Sequence, residues 1–148
     1  MGKNLGQTTI LVEIETDEGI IGYGETAPTF ASPDAIFAIL QNVKAVILGQ
    51  SITQVLDLMK QIFTHSFGHH YASQLHPRIG NLAFTGVELA LWDALGKSVG
   101  LPVNSLLGGK LHETISFMGF VQGDTTEEIA THANQLANEG YEVIYLKV

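Results

Sequence analysis

The clearest candidate for chemistry in this sequence is a lysine placed in an apolar strand. The chain closes with GYEVIYLKV, from Gly140 to Val148, and Lys147 follows β-branched and aromatic residues there. Alternate residues of a strand point to the same face, so Tyr145 and Lys147 share one face and Leu146 takes the other. A desolvated lysine can act as a general base, but a lysine near a strand end is more often simply solvated. Spacing alone leaves both interpretations open.

A group of histidines is the second candidate. The segment THSFGHHYASQLHPR runs from Thr64 to Arg78 and contains His65, His69, His70 and His76. Residues four apart share a helix face, but Gly68 and Pro77 interrupt the helical pattern. The segment has no HExxH motif and no acidic residue, which a metal centre would be expected to supply. We therefore predict a surface loop or an irregular helix end, and no metal site.

A third motif, Gly22-Tyr23-Gly24, is half of a dinucleotide-binding fingerprint. The third glycine and the helix that cradle a pyrophosphate do not follow it. We predict that these glycines serve a turn or a β-bulge.

Composition excludes several classes of function. The 148 residues carry a net charge of -8, from 7 Lys+Arg against 15 Asp+Glu, which disfavours binding to nucleic acid. There is no cysteine, so disulfides and thiolate metal sites are excluded. No run of about 18 apolar residues predicts a membrane helix, and the first residues lack the apolar segment of a signal peptide. We expect a cytoplasmic globular protein with no membrane partner.

The segment from Thr8 to Tyr23 predicts a β-hairpin. Ile10, Val12 and Ile14 alternate on one face, and the polar stretch from Thr16 to Gly19 supplies the turn.

Three helices are predicted to follow. The first begins at Ser32, where a capping hydroxyl precedes a proline and an acid, and it ends at Gly49. Ser51 and Gln54 have the spacing of a capping box that starts the second helix. The third runs from about Asn81 to Val99, and its alanine-rich apolar face predicts close packing.

The rest of the chain predicts a strand, a helix and a strand. Thr114 to Phe120 is strand-like, and Thr125 with Glu128 forms a capping box for a helix that Gly140 ends before the last strand. A βαβ crossover makes two parallel strands, which belong to larger sheets or barrels. Two parallel strands alone are not a stable sheet, so this part predicts the opening of a larger architecture.

Three segments, in the same order, resemble one family. TGVELALWDALGKSVGLPVNSLLGG, from Thr85 to Gly109, resembles the helix and linker of the enolase superfamily, in its mandelate racemase and muconate lactonizing enzyme branch. GIIGYGE, from Gly19 to Glu25, is similar to its capping strands, and GYEVIYLKV to its second barrel strand. The resemblance spans about Thr8 to Val148.

This resemblance implies an α+β fold with two domains. Residues 1–110 would form the capping domain, an antiparallel hairpin or meander plus helices, and residues 111–148 the first βαβ of a truncated TIM-type barrel. It also implies Mg2+ and a small carboxylate substrate held between the domains. The shared reaction is removal of the proton α to the carboxylate, with the metal stabilising the enediolate.

The resemblance assigns a role to the residues of the last strand. The family's second barrel strand often has two lysines separated by one residue, and Lys147 matches the second, its usual acid/base. Tyr145 occupies the position of the first and is expected to line the substrate pocket. The family's metal ligands lie on later barrel strands, so none is expected in this chain.

The sequence therefore predicts a fragment of a Mg2+-dependent enzyme that is inactive alone. We favour a muconate-cycloisomerase-like isomerase that forms a homo-oligomer. The alternatives are an acid-sugar dehydratase of the same superfamily and a noncatalytic interaction module whose exposed strands pair with another chain.

Overall fold

The computed structural model describes residues 8–28, 31–67 and 77–146, with only the backbone described at residues 66, 67, 77 and 78. The chain forms two compact units, Met1–Gly109 and Lys110–Val148.

The first unit begins with the predicted hairpin. Strands β1 (Ile10–Glu15) and β2 (Ile21–Thr26) pair antiparallel, in an unbroken register from Ile10 opposite Thr26 to Glu15 opposite Ile21. The Thr16 N–H donates to the Ile20 carbonyl at 2.9 Å, and Gly19 adopts a φ of 78°, which suits a glycine closing a three-residue loop. The hairpin prediction is confirmed, with β2 extending three residues beyond Tyr23.

Helices make up the remainder of the first unit. They are α1 (Pro33–Ile47), a 3-10 helix (Ile52–Gln54), α2 (Val55–Phe67), α3 (Pro77–Val99) and the short α4 (Val103–Leu106). The predicted start of α1 is confirmed, because the Ser32 hydroxyl accepts the Ala35 N–H at 3.3 Å. The predicted stop is also confirmed, since Gly49 has a left-handed φ of 73°.

The predicted start of the second helix was wrong. Ser51 is a cap, but it accepts the Thr53 N–H at 3.3 Å at the start of the 3-10 helix, and α2 starts only after Gln54. In the tighter 3-10 turn the hydroxyl meets an earlier N–H than in a capping box. The two ends of the segment predicted as a loop or irregular helix end are helical, since α2 continues through Phe67 and α3 starts at Pro77, where proline suits a first helical turn. His69, His70 and His76 lie outside the described residues.

Helix α3 is the centre of the first unit. It packs against the strands β1 and β2 and against the helices α1 and α2. Its predicted apolar stripe is buried at Ala83, Val87, Ala90, Leu91 and Ala94. The core that it shares with the other elements contains Ile10, Ile36, Val43, Val55, Leu58, Ile62 and Phe84.

Strand β2 lies almost backbone to backbone on α3. A Cβ atom built on Gly22 would lie 2.1 Å from the Ala90 carbonyl oxygen, and one on Gly24 would lie 1.9 Å from the Gly86 oxygen. Two strand residues advance about 6.8 Å and four helix residues about 6.0 Å, so the contact repeats along both elements. The turn or bulge predicted for these glycines was therefore wrong, and their role is close approach to the helix.

The second unit is the predicted βαβ crossover. Strands β3 (Gly119–Phe120) and β4 (Ile144–Tyr145) are parallel and are joined through α5 (Thr126–Asn138). The Gly119 N–H donates to the Val143 carbonyl at 2.9 Å, and the Val121 N–H donates to the Tyr145 carbonyl at 3.0 Å. Strand β3 is shorter than the predicted Thr114–Phe120, because the pairing in the described residues reaches only its end.

Within the parts of the chain that the structure describes, no single helix is long and apolar enough to cross a membrane. The segments Pro33–Ile47 and Ile52–His65 meet that criterion only as a pair, and they are bent by 117°. Ile36, Val43, Leu58 and Ile62 on these segments are buried in the core, as expected for helices of a packed domain.

Replacing Gly24 with alanine should destabilise the first unit by about 3 kcal/mol, because the new methyl group overlaps the α3 backbone, which cannot relax as a flexible side chain would. Urea unfolding followed by the fluorescence of Trp92, the single tryptophan, measures this loss. The exposed neighbour provides a control, since Glu25→Ala should change stability by no more than about 0.5 kcal/mol. Equal stability of the two variants would contradict the close-approach role.

Candidate functional site

The paired ends of β3 and β4 hold the candidate site in the second unit. Phe120 and Tyr145 are register partners, and their ring centroids lie 5.3 Å apart. Their side chains are 48% and 44% exposed, so this aromatic pair is accessible to a ligand.

The aromatic pair lies on the strand face that points away from α5. On the other face, a Cβ built on Gly119 would lie 3.1 Å from the Leu136 Cδ1 atom of α5, and Val121 is buried. Because successive residues of a strand alternate in direction, Phe120 and its partner Tyr145 point to the side that α5 leaves uncovered.

The loop that follows β3 is fixed by hydrogen bonds from α5. The Gln122 N–H donates to His132 Nδ1 at 3.0 Å, and the same ring nitrogen lies 3.2 Å from the Gln122 carbonyl oxygen. The Glu128 carboxylate accepts the N–H groups of Asp124 and Thr125 at 2.8 and 3.2 Å, and the Thr125 hydroxyl accepts the Glu128 N–H at 3.2 Å. The predicted capping box is confirmed, and it orders the loop at the carboxyl end of β3.

Of the two candidate residues in the last strand, the structure describes one. Tyr145 lies in β4 beside Phe120, whereas Lys147 lies outside the described residues. Over the described ranges, no group of three or more His, Cys, Asp or Glu residues could hold a metal ion. The described residues therefore do not fit a Mg2+ site.

Sequence reasoning missed Phe120 and His132 as neighbours of this site. Phe120 is 25 positions from Tyr145, and only the strand register brings the two rings together. His132 follows Glu128 by four residues on α5, so both lie on one helix face. That spacing was the available signal, since one member of the pair had already been identified as a cap.

A second polar cluster lies in the first unit, between β2 and α3. Lys97 Nζ donates to Asp93 Oδ2 and to the Ile21 carbonyl, both at 2.7 Å, and lies 4.9 Å from the centre of the Tyr23 ring. Asp93 Oδ2 also accepts the Tyr23 N–H at 2.8 Å. The hydrogen bond from Lys97 and then that from Tyr23 lower the pKa of Asp93 below its ordinary value of 3.8, against a smaller opposing effect of burial.

This cluster fastens the outer edge of the hairpin to α3. Asp93 and Lys97 each hydrogen-bond the backbone of β2 and pair with each other along α3, so both have a structural role. Trp92, next to Asp93, is packed against the core, as is usual for a large aromatic residue on a packed helix.

The α+β unit followed by a βαβ crossover is the architecture of an enolase-type capping domain joined to the start of a β/α barrel. The model of the mandelate racemase / muconate lactonizing enzyme N-terminal domain matches residues 1–108. The chain belongs to this family, and the predicted family and fold class are confirmed.

Several curated relatives with similar sequences are named as dehydratases. The chain is 30% identical over 132 residues to a D-galactonate dehydratase of Verminephrobacter eiseniae, covering 89% of this chain and 33% of the relative. It is 29% identical over 143 residues to a cis-3-hydroxy-L-proline dehydratase of Roseibium aggregatum, covering 93% of this chain and 36% of the relative. The chain thus spans about a third of the length of the curated relatives that it matches.

Solved structures with the same fold include other activities. A muconate cycloisomerase from Azorhizobium caulinodans is 30% identical with a TM-score of 0.73, and 92% of this chain matches 35% of that one. A dipeptide epimerase from Cytophaga hutchinsonii, complexed with Mg and the dipeptide D-Ala-L-Val, is 26% identical with a TM-score of 0.78. That match covers 95% of this chain and 36% of the epimerase.

The charge of Asp93 should stabilise the hairpin only while the carboxyl is ionised. Because its pKa is lowered in the folded state, its contribution is complete above the unfolded value near 3.8 and is lost as the pH falls through the folded value. Asp93→Asn, which keeps an oxygen for the Tyr23 N–H, should cost about 0.5–1 kcal/mol at pH 7. Urea unfolding at pH 7 and below pH 3.8 checks this, and the gap between variant and native chain should shrink at the lower pH. A gap that is the same at both pH values would contradict the role of the charge.

Proposed function

We propose that these residues are part of a longer enzyme that removes the proton α to a carboxylate, with Lys147 as the base and Tyr145 in the substrate pocket. The observation that carries this proposal is the pairing of Phe120 with Tyr145, which sets the direction of the β4 side chains.

The argument for Lys147 follows from alternation along β4. Tyr145 points away from α5, and an extended strand that continues for two residues brings residue 147 to the same face. In β/α barrels the side chains at the carboxyl ends of the strands form the active site. The family match to residues 1–108 supports such a barrel in the full-length protein.

The neighbourhood of this position suits a neutral amine. A barrel closed over the face that holds Phe120 and Tyr145 would remove water from a lysine on that face and favour its uncharged form. A neutral Nζ can accept the substrate's α-proton and become an ammonium. A tyrosine at position 145 supplies a hydroxyl in place of a second amine, so this strand would present one positive charge to the substrate after proton transfer.

Dehydration of a sugar acid is the reaction class that the relatives favour. Several curated relatives at 28–30% identity are named D-galactonate dehydratase. After the α-proton moves to the base, the hydroxyl on the neighbouring carbon takes a proton from a general acid of the full-length enzyme and leaves as water, and the enol that remains tautomerises to a 2-keto acid. The second candidate is a cycloisomerase, supported by the muconate cycloisomerase structure at 30% identity.

Mg2+ enters the proposal only as a cofactor of the full-length protein. The support is the dipeptide epimerase structure that contains Mg. Since the described residues do not fit a metal site, the ligands would come from elsewhere in the full-length protein.

The second unit also offers a noncatalytic alternative. Ile115, Phe117 and Val143 are 74%, 79% and 59% exposed, an unusual extent for apolar residues next to strands. Such residues could be covered by further strands of a barrel or by another chain. The barrel is the first choice because the relatives are about three times longer than this chain, and the homo-oligomer and the cytoplasmic location stay predictions.

The test of the base is a substitution in the full-length protein. Lys147→Met should lower turnover and α-proton exchange into D2O by about 10²–10⁴-fold on a panel of sugar acids, because the proton acceptor is removed. Lys60→Met, an exposed lysine on α2, is the matched control and should leave both rates unchanged. Wild-type rates in Lys147→Met would refute its role as base, and a native enzyme that exchanges no α-proton on sugar acids or on the lactone formed from muconate would refute the reaction class.

The same panel tests the isolated chain and the pocket residue. The 148-residue chain should show no exchange, and activity from it would contradict its proposed place within a longer enzyme.

In the full-length protein, Tyr145→Ala should raise KM more than it lowers kcat, because it removes pocket surface and leaves the base in place.

A further inference from the structure

The backbone of Gln122 is held in place at the carboxyl end of β3. Its N–H donates to His132 Nδ1 at 3.0 Å, and its carbonyl oxygen lies 3.2 Å from the same ring nitrogen. The residue before it is also fixed, since the Val121 N–H donates to the Tyr145 carbonyl at 3.0 Å. His132 on α5 and Tyr145 on β4 therefore hold two successive residues of the chain.

The loop that follows Gln122 is seated on the first turn of α5. A Cβ atom built on Gly123 would lie 2.8 Å from the Ile129 backbone nitrogen, so the glycine allows direct contact with the helix. The N–H groups of Asp124 and Thr125 donate to the Glu128 carboxylate at 2.8 and 3.2 Å. The loop is therefore anchored on α5 along its length.

The contact from His132 is not needed to begin α5. Thr125 and Glu128 already form a complete capping box at the start of that helix. His132 lies one turn further along the helix and contacts Gln122, which precedes the cap. What this contact determines is the position of Gln122.

The side chain of Gln122 lies on the face of β3 that carries the aromatic pair. The N–H and the carbonyl of an extended residue point to the same side, which fits the contact of both Gln122 groups with one ring nitrogen. Side chains of successive extended residues alternate, and Val121 is buried on the α5 face. Gln122 and Phe120 therefore share the other face, about 6.8 Å apart along the strand.

The Gln122 carboxamide is available to a ligand. It is exposed, and within the described part of the chain it has no hydrogen-bond partner. A carboxamide both donates and accepts hydrogen bonds, which suits the hydroxyl groups of a sugar acid. Asp124, which is also exposed in this loop, carries a negative charge that repels a carboxylate substrate.

We infer that Gln122 binds a hydroxyl group of the substrate, and that His132 is a positioning residue that keeps the carboxamide on the aromatic face. The inference rests on the proposed function for its substrate class, a carboxylate with several hydroxyl groups. Because the backbone of Gln122 is already fixed, binding orders little more than its side chain, which lowers the entropy cost. Gln122 therefore favours hydroxylated acids over acids that lack hydroxyl groups.

The experiment compares two six-carbon carboxylates that differ only in their hydroxyl groups, D-galactonate and hexanoate. The dissociation constant of D-galactonate from the full-length protein is measured by titration calorimetry with Mg2+ present, and that of hexanoate by competition. Gln122→Ala should weaken D-galactonate by about 10-fold and leave hexanoate unchanged. Gln135→Ala changes another exposed glutamine, on α5, and should change neither constant.

Variants of His132 test its positioning role. His132→Ala should weaken D-galactonate by about 3–10-fold. The double variant with Gln122→Ala should bind no more weakly than Gln122→Ala alone, because His132 acts through Gln122. His132→Asn keeps a polar atom near the position of Nδ1 and should restore most of the native affinity. Circular dichroism checks that each variant keeps the native helix content.

Three results would each overturn the inference. They are no binding of D-galactonate to the native protein, an unchanged ratio of the two dissociation constants in Gln122→Ala, and losses that add up in the double variant. Failure of the proposed reaction gives a different result. A native protein that binds D-galactonate through Gln122 but exchanges no α-proton refutes the reaction and supports the binding role of Gln122.

Discussion

The first unit depends on the contact between the backbone of β2 and the backbone of α3. Gly22 and Gly24 on the strand meet Ala90 and Gly86 on the helix at a distance that leaves no room for a further carbon atom. Helix α3 also carries the contacts with α1 and α2, so the position of the hairpin determines how the three helices share one core. A two-stranded hairpin has little stability of its own, and its packing on α3 supplies what it lacks.

This contact explains the sequence motifs by which the family was identified. Asp93 and Lys97 hold the edge of β2, and Gly96 lies so close to Leu101 that a Cβ would come within 2.7 Å of its carbonyl oxygen. The motif therefore describes how a strand and a helix fit together. Its residues are kept in place by packing and hydrogen bonds within the first unit.

The sequence predicted those features that depend on neighbouring residues. Hydrophobic spacing identified the hairpin and the helices, and local caps identified the start of α1 and of α5, because a hydroxyl reaches an N–H only a few residues away. The sequence did not predict features that depend on a contact with a residue far away along the chain. The role of Gly22 and Gly24 requires a helix about 70 residues further on, and the short length of β3 depends on which strands lie beside it.

The same distinction between local and long-range features applies to the candidate site. A strand at Tyr145 could be stated in advance, because it follows from the local residue pattern, whereas the shared face of Tyr145 and Lys147 stays a prediction from alternation. The closeness of Phe120 to Tyr145 depends on the parallel register across the α5 crossover, and periodicity carries no information about register. The loop support from His132 was missed for a similar reason, since the backbone group that it accepts lies ten residues earlier.

The separation between the hairpin and α3 also has a consequence for biosynthesis. Tyr23 and Asp93 are 70 positions apart, so at about 5–20 residues per second the ribosome needs about 4–14 seconds to make the distance between them. During that interval α3 is not yet available for the nascent hairpin to pack on, so the apolar face of the hairpin is exposed to water. Glu13 and Glu15 on the other face of β1 keep the unpacked hairpin hydrated and disfavour its association with a neighbouring nascent chain.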